Sequence, residues 1–170
     1  MAHAESLRVI GQLLEAVEVP AFELEEDGLH YVVKCNSVTY LDEFVSRHAL
    51  IRNDSPAQAM GQSTVPPITN VPSVRLSRAD IFRLGDKAQL RRRRMASQPK
   101  VSGRLSQQLR TLGNHLDRMN ARGFLICWES DSVAVHFRRL DGQSDSLTFT
   151  HDKLEQMSTP SKFRRLSRRG

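Results

Sequence analysis

The chain has 170 residues, with 25 Lys and Arg against 19 Asp and Glu, a net charge of +6. That length suits one domain or two small, closely packed ones, and no apolar run nears the ~20 residues that cross a bilayer. Cys35 and Cys127 have neither CxxC spacing nor a His cluster beside them, so two reduced, buried thiols are expected rather than a disulfide or a metal centre.

The charge is unevenly spread. Residues 1–50 hold three basic groups against nine acidic ones, while the other 120 hold 22 against 10. Positive charge on that scale points to polyanionic partners. A 20 to 5 excess of Arg over Lys is also what a GC-rich genome produces without selection for binding. The N-terminus has no basic stretch leading into an apolar one, so no secretory signal is read and a cytoplasmic location is expected.

From the N-terminus, Leu7, Ile10, Leu14 and Val17 recur at helical spacing. Period-2 alternation follows through Phe22 and Leu24, then Tyr31, Val33 and Cys35, with Glu26-Asp27-Gly28 as the hairpin turn. Ser37-Val38-Thr39-Tyr40 is expected as a third strand, with a short helix over 41–48. Residues 52–74, rich in Pro, Ser, Thr and Asn, have linker composition. Ser77 is a good N-cap for a helix carrying Ile81, Phe82 and Leu84 and ending at Gly85. Asp86 can cap a second helix through Ala88 and Leu90 to Met95. Two short helices in succession bring DNA-reading motifs to mind, although no residue pattern for one is present.

The first pattern then returns 102 residues on. Leu105, Leu109, Leu112, Leu116 and Met119 form a cleaner helical stripe. Strands follow at Phe124, Ile126 and Trp128, at Val133, Val135 and Phe137, and at Ser146–Phe149, then a short helix over 151–157. At this offset Leu7, Arg8, Gly11, Leu14, Phe22 and Val33 fall on Leu109, Arg110, Gly113, Leu116, Phe124 and Val135, and Glu15 meets Asp117. The fold class expected is α+β: an internally duplicated α-β-β-β-α unit with antiparallel sheets, joined by a Pro-rich linker and a short helical segment. The boundaries are 1–51 for the first repeat, 52–74 for the linker, 75–98 for the basic helical segment, 99–158 for the second repeat and 159–170 for a basic tail. Gly11 and Gly113 sit mid-helix, where Gly costs about 1 kcal/mol relative to Ala. A close backbone approach, where each helix crosses its sheet, and drift at an exposed site are both consistent with that.

Each sheet should have one apolar face under its helix and a second face left over. In the first repeat that face shows Glu23, Glu25, Asp27, His30 and Lys34. In the second it shows Leu125, Cys127, Glu129, Ala134, His136 and Arg138, whose apolar members need a cover, either the middle segment or another subunit, so a homodimer is an expectation.

Arg91-Arg92-Arg93-Arg94 is the most conspicuous local feature. Three readings stand for it: a phosphate-binding patch, a solvated helix end, or a contact for the acidic first repeat. Lys162, Arg164, Arg165, Arg168 and Arg169 form a second cluster. The six His residues show no metal-binding spacing, and no nucleophile elbow, dinucleotide or P-loop motif occurs. The acidic run Glu23, Glu25, Glu26 and Asp27 is read as a solvated hairpin edge.

Leu13-Leu14, Pro20 and Glu26-Asp27-Gly28 give residues 13–40 a resemblance to the start of type III secretion chaperones, in which a helix leads through a Pro into an acidic hairpin. It covers a sixth of the chain, and those chaperones are acidic dimers where this chain is basic. The α-β-β-β-α order is also similar to that of double-stranded RNA-binding domains, without their Gly- and Lys-rich loop before the second helix. The function expected is non-enzymatic nucleic-acid binding through Arg91–Arg94 and the tail cations, with little sequence readout and no cofactor, metal, membrane or small-molecule substrate. The alternative is a protein-interaction adaptor or chaperone-like homodimer binding an acidic protein.

Overall fold

The computed structural model describes residues 2–48, 73–85 and 104–158. Helix α1 (His3–Glu15) leads into the hairpin β1 (Phe22–Asp27) and β2 (His30–Cys35), then α2 (Val38–His48). Strand β3 (Ser73–Ser77) runs directly into α3 over 78–85. The second half is α4 (Arg104–Arg118), β4 (Gly123–Trp128), β5 (Ser132–Arg138), β6 (Ser144–Thr150) and α5 (His151–Ser158). All strands join one antiparallel sheet, ordered β3-β2-β1-β4-β5-β6. The expected α+β class stands.

Strict alternation gives the sheet two different faces. Phe22 and Leu24, Tyr31 and Val33, Val74 and Leu76, Phe124 and Ile126, Val133 and Val135, and Phe149 are buried on one side with the helix residues Leu7, Ile10, Leu14, Leu109, Leu112 and Leu116. Leu14 and Leu116 are core residues, as their stripes require. The other side carries Glu23, Glu25, Lys34, Arg75, Leu125, Cys127, Ala134, His136 and Thr148, and no helix among the described residues lies over it. Cys35 and Cys127 are free thiols on opposite faces, since Cys35 pairs across the ladder with the core residue Phe22 and Cys127 with Glu23. Burial pushes the Cys35 thiol up to about 11, which keeps it protonated and unreactive at neutral pH.

Helices α1 and α4 pack against each other more closely than any other pair of helices among the described residues. The close approach is made by Gly11 and Gly113, with the other helix as partner in place of the sheet. A Cβ on Gly11 would lie 2.6 Å from the Cα of Ser106, and one on Gly113 would lie 2.4 Å from the Cα of Ala4. The same reciprocity governs the helix ends. Asp117 accepts hydrogen bonds from the His3 and Ala4 amides at 3.0 and 3.1 Å, and Glu15 accepts from those of Leu105 and Ser106. Each helix thus closes two of the other's free N-terminal donors with a carboxylate, which also suits the positive end of the dipole. Every residue in one set lies 102 positions from its counterpart, and Leu24 pairs directly with Ile126 at the centre of the sheet.

Three expectations need correction. Val38–Tyr40 is not a strand but the first turn of α2, where the Ser37 hydroxyl accepts from the Thr39 amide at 3.3 Å and the Ser37 carbonyl from the Leu41 amide. The third strand of the first half is β3, which begins at Ser73 inside the expected linker and pairs Tyr31↔Leu76 and Val33↔Val74. The hairpin turn is Gly28-Leu29, with Gly28 at φ 59°, so Glu26 belongs to β1. The cap at Ser77 is as expected: its hydroxyl accepts from the Asp80 amide at 3.1 Å, while the Asp80 carboxylate accepts from the Ser77 amide at 3.1 Å. The Ser77 hydroxyl also donates to that carboxylate at 2.8 Å, and this bond above all holds the Asp80 carboxyl below its ordinary value.

Candidate functional site

Moving Glu26 from turn to strand changes its chemistry. Alternation from Phe22 and Leu24 turns its side chain towards the helices, and only 4% of it is exposed. Oε1 lies 3.8 Å from Nδ1 of His3 and 3.5 Å from a guanidinium nitrogen of Arg78. His3 also meets the Tyr31 hydroxyl at 3.4 Å through Nδ1 and the Ala121 carbonyl at 3.1 Å through Nε2, with its ring edge-on to Phe124. Oε2 of Glu26 and Nε of Arg78 are buried without a hydrogen-bond partner among the described residues. Desolvation raises the Glu26 pKa against the opposing pull of His3 and Arg78.

The raised value has a defined sign. The folded protein binds this proton more tightly than the unfolded chain, so the contribution of Glu26 is complete below its unfolded pKa and is lost as pH rises through the folded one. Glu26→Gln cannot ionise. Relative to the native chain, it should gain stability as pH rises from about 4.5 to about 7, a window that opens just above the ordinary Glu value of about 4.3. Urea unfolding at the two pH values checks this, and an identical difference at both would show that Glu26 is not strained by its charge.

The uncovered sheet face lies behind this cluster. Its side chains form rows across the strands: Arg75, Val32, Glu25, Leu125, His136 and Ser146 in one, and Lys34, Glu23, Cys127, Ala134 and Thr148 in the next. The acids of the first half meet its own cations, Glu25 with Lys34, Asp27 with Arg75 and Glu26 with Arg78. Leu125, Cys127 and Ala134 are half-buried at the centre. At one end of this face lies an open groove of about 740 Å³ between the end of β1 and the adjoining ends of β4, β5 and β6.

The arginines and lysine expected to contact nucleic acid, Arg91–Arg94, Lys162, Arg164, Arg165, Arg168 and Arg169, all lie outside the described residues. Their setting in charge is nevertheless defined. The described residues contain 13 Lys and Arg against 17 Asp and Glu, a net charge of −4. Residues 86–103 contain six basic groups and one acidic, and 159–170 contain five and none. Among the described residues no group of three or more His, Cys, Asp or Glu is placed to hold a metal ion, and no helix is long and apolar enough to cross a membrane.

Reading Glu26 as part of a solvated hairpin edge and its turn hides the burial of its carboxyl. Continuing the Phe22–Leu24 alternation by one step would have placed it on the core face. No protein-family model, curated protein or solved structure matches this chain.

Proposed function

We propose that this protein binds nucleic acid through electrostatic contacts to phosphates, using Arg91–Arg94 and the C-terminal cations rather than an active site. One observation supports this reading above the others: the described α+β body is net acidic, and the excess positive charge resides in 86–103 and 159–170. With the body at −4 overall, the two basic segments supply most of the attraction for a polyanion. Exposed aromatics are few among the described residues, so base stacking contributes little and sequence preference is weak. The two halves are read as descendants of one unit. The offset of 102 shared by the glycine crossing, the carboxylate caps and the Leu24↔Ile126 pair supports that origin.

Freshly purified protein is expected to carry nucleic acid, seen as a 260/280 nm absorbance ratio well above that of protein alone, and to lose it after a high-salt wash. A ratio typical of pure protein before the wash would count against the proposal.

The half-buried Leu125, Cys127 and Ala134 favour a second reading, in which the open face packs on a second copy or another protein. Sedimentation distinguishes them: a dimer indifferent to salt and free of nucleic acid supports the second.

A further inference from the structure

The groove on the open face has a feature that neither the core nor the turns require. The β1–β4 ladder runs from Phe22↔Trp128 to Glu25↔Leu125 and stops, although β1 continues to Asp27 and β4 begins at Gly123. The groove lies over this unpaired end. Gly28 and Gly142, which also line it, have φ of 59° and 87°, so their turns account for them. Gly123 is different. Its φ is not in the left-handed region, and a Cβ built on it meets nothing within 4 Å. Neither backbone strain nor packing calls for glycine there, and its lack of a side chain leaves bare backbone as the groove floor.

The charge around that floor is polarised. On the β1 side, Glu25 and Asp27 are each in an ion pair with a cation of the first half, while the Glu26 carboxyl is turned into the core layer. On the other side, Arg139 pairs with Asp145, whereas Arg122 and Arg138 are exposed and make no ion pair among the described residues. The two extend from adjacent strand positions, since the Arg122 amide donates to the Arg138 carbonyl at 2.9 Å and Arg138 pairs with Gly123. Two exposed arginines lining a groove that also has an unencumbered glycine suit a phosphate, which accepts paired N–H donors and needs close backbone approach. Ser144 and Ser146 add hydroxyl donors along the same wall.

We infer that this groove is a second nucleic-acid contact, in which Arg122 and Arg138 hold backbone phosphates over Gly123. The inference rests on the nucleic-acid reading above and places one contact on the folded body. The acidic wall of the groove faces the same ligand in neutralised form, which limits the path of a strand to the β4–β6 side.

The test uses the full chain and a short labelled duplex, with anisotropy read at several salt concentrations. Arg122→Gln with Arg138→Gln should flatten the logarithmic salt slope by about one to two units, at roughly 0.9 per phosphate contact. Gly123→Phe keeps every charge and should weaken binding several-fold by filling the floor. A control with the same charge change, Arg110→Gln with Arg118→Gln on the exposed side of α4, should move the slope much less. Urea unfolding of each variant separates lost binding from lost folding. If the groove pair behaves like the control, or Gly123→Phe binds as the native chain does, the groove is not a contact, while the nucleic-acid reading stands on the native chain's own binding. If the native chain binds no duplex at all, both fall together.

Discussion

Gly113→Ala should lower the free energy of unfolding by about 2–3 kcal/mol, the upper part of the usual range for overpacking. The ordinary expectation has the opposite sign, because Gly→Ala in an unencumbered helix gains about 1 kcal/mol from propensity alone. Here the added methyl would sit 2.4 Å from the Cα and 2.6 Å from the amide nitrogen of Ala4, and 2.9 Å from the carbonyl carbon of His3. All three are backbone atoms, so no rotamer change relieves the overlap. The helices must separate, and that pulls the Asp117 carboxylate away from the His3 and Ala4 amides that it caps. Gly11→Ala should behave likewise, since its methyl would lie 2.6 Å from the Cα of Ser106 and a rotated or widened crossing would loosen the Glu15 cap. The two changes act on one interface, so their effects should not add. Denaturant unfolding of both singles and the double measures this, and a rise in stability for either single would mean that the crossing is looser than described.

Much of the fold is readable in the sequence because local period and burial agree. The stripe from Leu105 to Leu116 and the alternation from Phe124 to Phe137 each describe an element with one buried face, and both appear within a residue or two of their expected limits. The failures occur where a short signal meets a stronger local or tertiary one. Val38, Thr39 and Tyr40 favour a strand by propensity, but Ser37 caps a helix there and Leu41 and Phe44 bury one face of it. Strand β3 offers only Val74 and Leu76 as apolar alternation, too little to identify without knowing that the edge of β2 is free to pair with it.

The sites were less legible for a related reason. Glu15 and Asp117 lie 102 positions apart, yet their work as reciprocal helix caps depends on two helices brought together across that length of chain. Glu26 reads as one more acid in a polar hairpin until the turn is placed one step later. Its carboxylate then enters the core layer beside His3, Tyr31 and Arg78, where burial controls its proton. The groove arises from the premature end of the β1–β4 ladder, and ladder length has no signature in either strand alone. Only the clustered arginines are conspicuous from the start, and they mark where charge is concentrated without specifying the geometry around it.

The most direct test of the central claim is the salt dependence of duplex binding with and without Arg91–Arg94. Affinity of the native chain should fall steeply as salt rises, because each phosphate neutralised contributes about −0.9 to the logarithmic slope on B-DNA. Replacing all four arginines with Ala should flatten the slope by roughly two to three units, since four consecutive side chains cannot all face one phosphate backbone. The loss should be similar on unrelated sequences, as positioning contacts carry no base information. Arg→Lys changes at the four positions should keep most of the affinity, because a point charge is enough to release counterions. Fluorescence anisotropy at three salt concentrations makes the measurement. A slope flattened by two to three units in the Ala variant is the result this account predicts, and a slope equal to that of the native chain would contradict it.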